Sequence, residues 1–128
     1  MNQFNLSDGT YFRYSERGEG PCLLLLHTIR NRIEYYDRLS PLLIKKFKVI
    51  CIELPGHGDS PINKKTNYNI EFITNSIVEF IDQKQLEDIT IAGESIGAVL
   101  ASTVAIKIPS KVEKVYCFNP YDYDTKFG

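Results

Sequence analysis

Short stretches dominated by apolar residues recur along the chain, separated by longer stretches in which apolar residues return every three or four positions. Residues 22–27, 48–54, 88–92 and 112–118 are of the first kind, the pattern of strands buried on both faces of a parallel sheet. Ahead of them, residues 2–6 and the aromatic-rich residues 10–17 flank the turn pair Asp8-Gly9, which predicts an antiparallel hairpin. Three helices are predicted between and after the runs. The first covers 33–46, with Tyr36, Leu39, Leu43 and Phe47 on one face. The second follows a cap at Asn69 and carries Ile70, Ile73, Ile77, Phe80 and Ile81 as one stripe down to about Gln83. The third starts at about Ser95 and puts Ala98, Ala101 and Ala105 near one face, where small side chains permit close approach to a sheet. Strands alternating with helices predict an α/β sheet with right-handed crossovers.

Composition narrows the function more than the fold. At 128 residues with 43% apolar content the chain has enough material for one buried core, and no repeat, linker or low-complexity tract divides it, so residues 1–128 read as one domain. Fifteen Lys and Arg against sixteen Asp and Glu leave a net charge of -1, no field for holding a phosphate backbone, so nucleic acid is not an expected partner. The longest apolar run is far short of the roughly 20 residues of a membrane span, and residues 1–10 lack the apolar stretch of a secretory signal. A cytoplasmic protein is expected. Cys22, Cys51 and Cys117 show no metal-ligand spacing and each lies in a strand-like run, so buried reduced thiols and no metal are expected. Gly18-Glu19-Gly20 precedes its strand and no phosphate-binding loop motif occurs, so no cofactor is expected.

The sharpest chemical signal is Gly93-Glu94-Ser95-Ile96-Gly97, a G-x-S-x-G between an apolar run and an Ala-rich helix. A strand-to-helix turn this tight strains the central residue and brings side chains two positions either side into collision. Glycine at 93 and 97 removes those side chains. The turn lifts the Ser95 hydroxyl above the strand ends at the positive end of a helix, where the Ile96 amide can donate to a developing oxyanion.

With that context the sequence resembles the α/β-hydrolase fold family, and two more segments carry the likeness. Leu23-Leu24-Leu25-Leu26-His27-Thr28 is similar to the family's apolar strand ending in His-Gly, whose following loop supplies a second oxyanion amide, here Ile29. Glu53-Leu54-Pro55-Gly56-His57-Gly58-Asp59-Ser60 is similar to the family's D-x-P-G-H-G-x-S loop. Thr28 stands where the family has glycine, and Glu53 where it has aspartate. The resemblance implies an α/β-hydrolase-type, mostly parallel sheet with helices on both faces, truncated to about six strands and three helices, with the later strands and lid absent. Serine at the nucleophile position implies ester, thioester, lactone or amide cleavage, or carbon-carbon hydrolysis, through attack by Ser95, an oxyanion held by two amides, and an acyl-enzyme. A small acyl substrate is the expected partner.

The family's triad runs Ser, then Asp or Glu, then His, and no histidine follows Ser95. His27 and His57 both fall where the family uses histidine to orient loops, so no base is assigned. Asn119 occupies the spot where some relatives place the acid; Asp122 and Asp124 are the remaining candidates, although their segment also fits a solvated turn. The expectation is the amino-terminal portion of a serine hydrolase, nearly inactive as it stands. The alternatives are a non-catalytic binding or interaction protein on the same scaffold and a flavodoxin-like module. With later strands absent, residues 112–118 become an exposed sheet edge through which self-association is expected.

Overall fold

The chain opens as a hairpin because Asp8 and Gly9 make a turn between residues 2–6 and the aromatic-rich residues 10–17. Gly9 takes a left-handed φ of +86° and Asp8 accepts the Thr10 amide at 2.9 Å. Strands β1 (Asn2–Asn5) and β2 (Tyr11–Arg17) pair antiparallel across this turn. The computed structural model describes residues 1–28 and 33–119. Within them β3 (Cys22–Leu26), β4 (Lys48–Ile52), β5 (Ile89–Glu94) and β6 (Val112–Phe118) complete a six-stranded sheet in the order β1-β2-β4-β3-β5-β6. The pairings β3/β4, β3/β5 and β5/β6 are parallel, and β2 lies antiparallel to β4.

Alternation along the central strands divides the core in two. Leu24, Leu26, Ile50, Ile52 and Ile91 face one side, where α2 (Ile70–Gln83) and α3 (Ile96–Lys107) pack. The expected stripe on α2 is in place, and the Asn69 side chain accepts the Phe72 amide at 2.8 Å, satisfying an otherwise orphaned donor. Phe80 of α2 meets Phe4, Phe12 and Tyr14 of the hairpin at centroid distances of 5.2, 5.4 and 4.9 Å. Burying such a ring contributes about 1.5–3 kcal/mol, so α2 fixes the hairpin to the sheet. On α3, Ala98 and Ala101 are fully buried while Ala105 is only partly so.

Leu23, Leu25, Val49, Cys51 and Ala92 face the opposite side, and here the structure corrects the sequence reading. The single helix expected over 33–46 is two short pieces, a 3-10 turn at Ile33–Tyr36 and α1 at Ser40–Leu43. Pro41 explains the break: it has no amide to donate back to the preceding turn, and it sits at the start of α1, where that loss costs least. The thin cover leaves a groove of about 360 Å³ lined by Leu23, Leu25, Leu43, Phe47, Tyr116 and Phe118 among others. The cysteine expectation is also revised: Cys51 is buried, Cys22 partly so, and Cys117 lies on the exposed strand β6. No helix among the described residues is long and apolar enough to cross a membrane.

Candidate active site

The tips of β3 and β5 and the loop after β4 converge at one end of the sheet. Ser95 follows β5 directly and precedes α3, with φ +57° and ψ -118°, a backbone conformation that L-residues adopt only under constraint. The constraint is visible on both sides. A β-carbon on Gly93 would stand 2.3 Å from the Gly97 carbonyl, and one on Gly97 would stand 2.4 Å from the Leu26 carbonyl oxygen. The Ser95 amide donates to the Phe118 carbonyl at 2.9 Å, so the elbow is tied to β6 as well as to β5. Ile96 opens α3, and its amide is among the first of the helix, which have no intrahelical acceptor.

His27 is fully buried and both its ring nitrogens are engaged. Nε2 accepts the Leu54 amide at 2.9 Å, which fixes the proton on Nδ1, and Nδ1 donates to the Thr28 carbonyl at 2.6 Å. Burial drives its pKa down to about 4, a shift that the Thr28 contact opposes and the nearby His57 reinforces. His57 stands 5.5 Å away, centroid to centroid, with Nδ1 donating to the Pro55 carbonyl at 3.1 Å. Both rings hold loops, and among the described residues no imidazole hydrogen-bonds to Ser95.

The neutral His27 ring has a measurable consequence. Between about pH 6.5 and 4 the unfolded chain binds a proton that the folded ring refuses, so stability falls as pH falls through that window and levels below it. The expected loss is about 3 kcal/mol, read from urea midpoints against pH. A His27→Asn variant should lack this slope; an unchanged slope would refute the assignment.

Two groups around the site escaped the sequence reading. The first is Arg13 of β2, which forks onto the buried Glu53 carboxylate with Nε at 2.9 Å and Nη2 at 2.7 Å. Glu53 also accepts the amides of Ile33, Asp59 and Ser60 at 3.1, 2.9 and 2.9 Å. Burial alone would raise its pKa, but the Arg13 bonds and these amides outweigh that and hold it at about 2. Glu53 is thus the hub that fixes the loop after β4 and the start of the 3-10 turn. The second group is Tyr35, Glu94 and Asn119. The Tyr35 hydroxyl donates to Glu94 Oε2, and the Asn119 amide donates to Oε1 at 3.4 Å. The bond to Glu94 raises the Tyr35 pKa. This cluster anchors the residue immediately before Ser95. Neighbouring Tyr36 donates to the Leu26 carbonyl at 2.7 Å, packs against the core on that side of the sheet and lines the groove. The serine motif gives no hint of either group; only an acid just after one strand and an arginine in another hint at the first.

Of the expected site residues, Gly93, Ser95, Ile96 and Gly97 come together at the elbow. Ile29, the second oxyanion candidate, and the acid candidates Asp122 and Asp124 lie outside the described residues.

Residues 21–128 match the family model for the alpha/beta hydrolase fold. The chain belongs to that family. It is 26% identical over 114 residues to the (E)-2-((N-methylformamido)methylene)succinate hydrolase of Acinetobacter baylyi, covering 89% of this chain and 43% of that enzyme. It is likewise 26% identical over 98 residues to the pimeloyl-[acyl-carrier protein] methyl ester esterase of Aeromonas hydrophila, covering 77% of this chain and 37% of the esterase. Among solved structures, one from work on carboxylesterases of the thaumarchaeon Nitrososphaera gargenis superposes with a TM-score of 0.92 at 26% identity, over 98% of this chain and 48% of that one. The chain spans less than half the length of each of these alpha/beta hydrolase relatives.

Proposed function

We propose that Ser95 is the nucleophile of an acyl-bond hydrolase acting on a small ester, thioester or related substrate, and that this 128-residue chain carries the nucleophile and part of the oxyanion site without the base. The observation that carries the reading is Ser95 held at φ +57° between Gly93 and Gly97 at the opening of α3. Attack by Oγ on an acyl carbon would form a tetrahedral oxyanion facing the Ile96 amide, with Ile29 as the second donor. Collapse would expel the alcohol or thiol and leave an acyl-serine for water to hydrolyse. Relatives named as a methyl ester esterase and a hydrolase support the substrate class. Both histidines are committed to backbone partners and none follows Ser95, which supports the low activity of this chain. Asp122 and Asp124 remain the acid candidates, of use only with a base. Three unpaired thiols support the expected cytoplasmic setting.

A second reading, a non-catalytic scaffold that binds an acyl compound above Ser95, draws on the same committed histidines. A fluorophosphonate probe separates the readings. Loss of the base alone costs about 10⁶ in kcat in a serine protease, so slow labelling is expected, confined to Ser95 and absent in Ser95→Ala. Fast, stoichiometric labelling would overturn the missing base. Labelling that survives Ser95→Ala would overturn the nucleophile.

A further inference from the structure

Ser95 keeps its positive φ only while its neighbours over-determine the turn, because a residue so placed has lower-energy backbone conformations to fall back to. Three kinds of contact do so among the described residues. Gly93 and Gly97 let the two arms of the elbow close on each other and on the end of β3, and the Ser95 amide is bonded to the Phe118 carbonyl. The third is made by a side chain. Ala92 and Ile33 share one face of the sheet, and Glu94, two residues on from Ala92, projects to the same side. There each carboxylate oxygen meets one donor, the Tyr35 hydroxyl on Oε2 and the Asn119 amide on Oε1. Tyr35 belongs to a turn that is itself pinned, with the Ile33 amide on Glu53 and the Tyr36 hydroxyl on the Leu26 carbonyl. Glu94 therefore ties the main chain beside Ser95 to a fixed point.

We propose that Tyr35 and Glu94 are positioning residues for Ser95, the hydrogen bond between them holding the elbow in its reactive conformation; this rests on the reading of Ser95 as the nucleophile. Both act through the main chain. Ser95 Oγ and the Ile96 amide hang from the elbow, and an elbow that relaxes towards negative φ carries both away from the geometry in which one attacks and the other receives the oxyanion. The role asks for an acceptor at position 94 and a hydroxyl donor at position 35, and for no charge. Glu94 is half-buried and Tyr35 is 36% exposed, so breaking their bond leaves no fully buried group unpaired, and the stability of the fold is expected to be indifferent to it.

The test is the rate of fluorophosphonate labelling at Ser95 in the 128-residue chain, measured beside the urea midpoint of each variant. Tyr35→Phe and Glu94→Ala are each expected to slow labelling about tenfold. The double variant is expected to lose no more than Glu94→Ala alone, because the two residues act as one unit, and all three are expected to keep the midpoint of the unsubstituted chain. Glu94→Gln keeps an acceptor oxygen for Tyr35, and the Asn119 side chain can turn its own oxygen to the new amide, so this variant is expected to label at the unsubstituted rate. Unchanged labelling in both Tyr35→Phe and Glu94→Ala would overturn the proposal and leave Ser95 as the nucleophile. Equal losses in Glu94→Gln and Glu94→Ala would overturn it by placing the effect on the charge. Losses that track a falling midpoint would overturn it by making the contact part of the fold alone. Labelling that survives Ser95→Ala would remove the nucleophile, and this proposal with it.

Discussion

Glu53→Ala is expected to cost about 3–5 kcal/mol, the usual penalty for removing one partner of a buried ion pair. The carboxylate has no exposure, and it neutralises Arg13 while accepting three main-chain amides. Alanine would leave those donors without acceptors in a space water does not reach, and it would release two loops at once. Urea denaturation is the measurement, and a midpoint shift worth less than about 1 kcal/mol would show that the hub is dispensable. The pH dependence has a definite sign. The native pKa near 2 lies below the ordinary 4.5, so the contribution is fully present above about pH 4.5 and is lost as pH falls towards 2. It therefore begins roughly where the His27 window ends, and the two effects separate along one titration.

Gly97→Ala is expected to destabilise by about 3 kcal/mol or more. Position 97 lies inside α3, where helix propensity favours alanine over glycine by about 1 kcal/mol, so local conformation alone calls for a gain. The contact argument gives the opposite sign. The new carbon would stand 2.4 Å from the Leu26 oxygen and 2.8 Å from the His27 oxygen, both main-chain atoms at the end of β3 that cannot rotate aside. Gly9 supplies the contrast: its β-carbon would meet nothing within 4 Å, and at φ +86° only the left-handed backbone penalty of about 1–2 kcal/mol applies. Thermal or urea unfolding of the two variants, side by side, distinguishes crowding from backbone strain. A neutral Gly97→Ala would mean that α3 can stand off from β3, and the elbow would lose its account.

Features carried by residues near one another in the chain were legible in the sequence. The stripe and cap of α2, the Asp8-Gly9 turn and the Gly93-Ser95-Gly97 elbow each depend on spacings of a few residues, and each is where the pattern puts it. The helix expected over 33–46 failed because periodicity counts apolar faces and ignores donors; a missing amide at Pro41 outweighed four well-spaced apolar residues. Arg13 was invisible for another reason. Its partner Glu53 is 40 positions away, and only the antiparallel placement of β2 beside β4 brings the two together. Tyr35 and Glu94, 59 positions apart, meet by the same kind of accident of topology. Cys117 looked like a core residue because an apolar strand reads the same at the centre of a sheet and at its edge.

The bond from the Ser95 amide to the Phe118 carbonyl gives that edge a second importance. It makes the end of β6 a latch on the strained main chain at Ser95. Any change that displaces the end of β6 therefore also acts on the main chain at Ser95, because one hydrogen bond holds the two together.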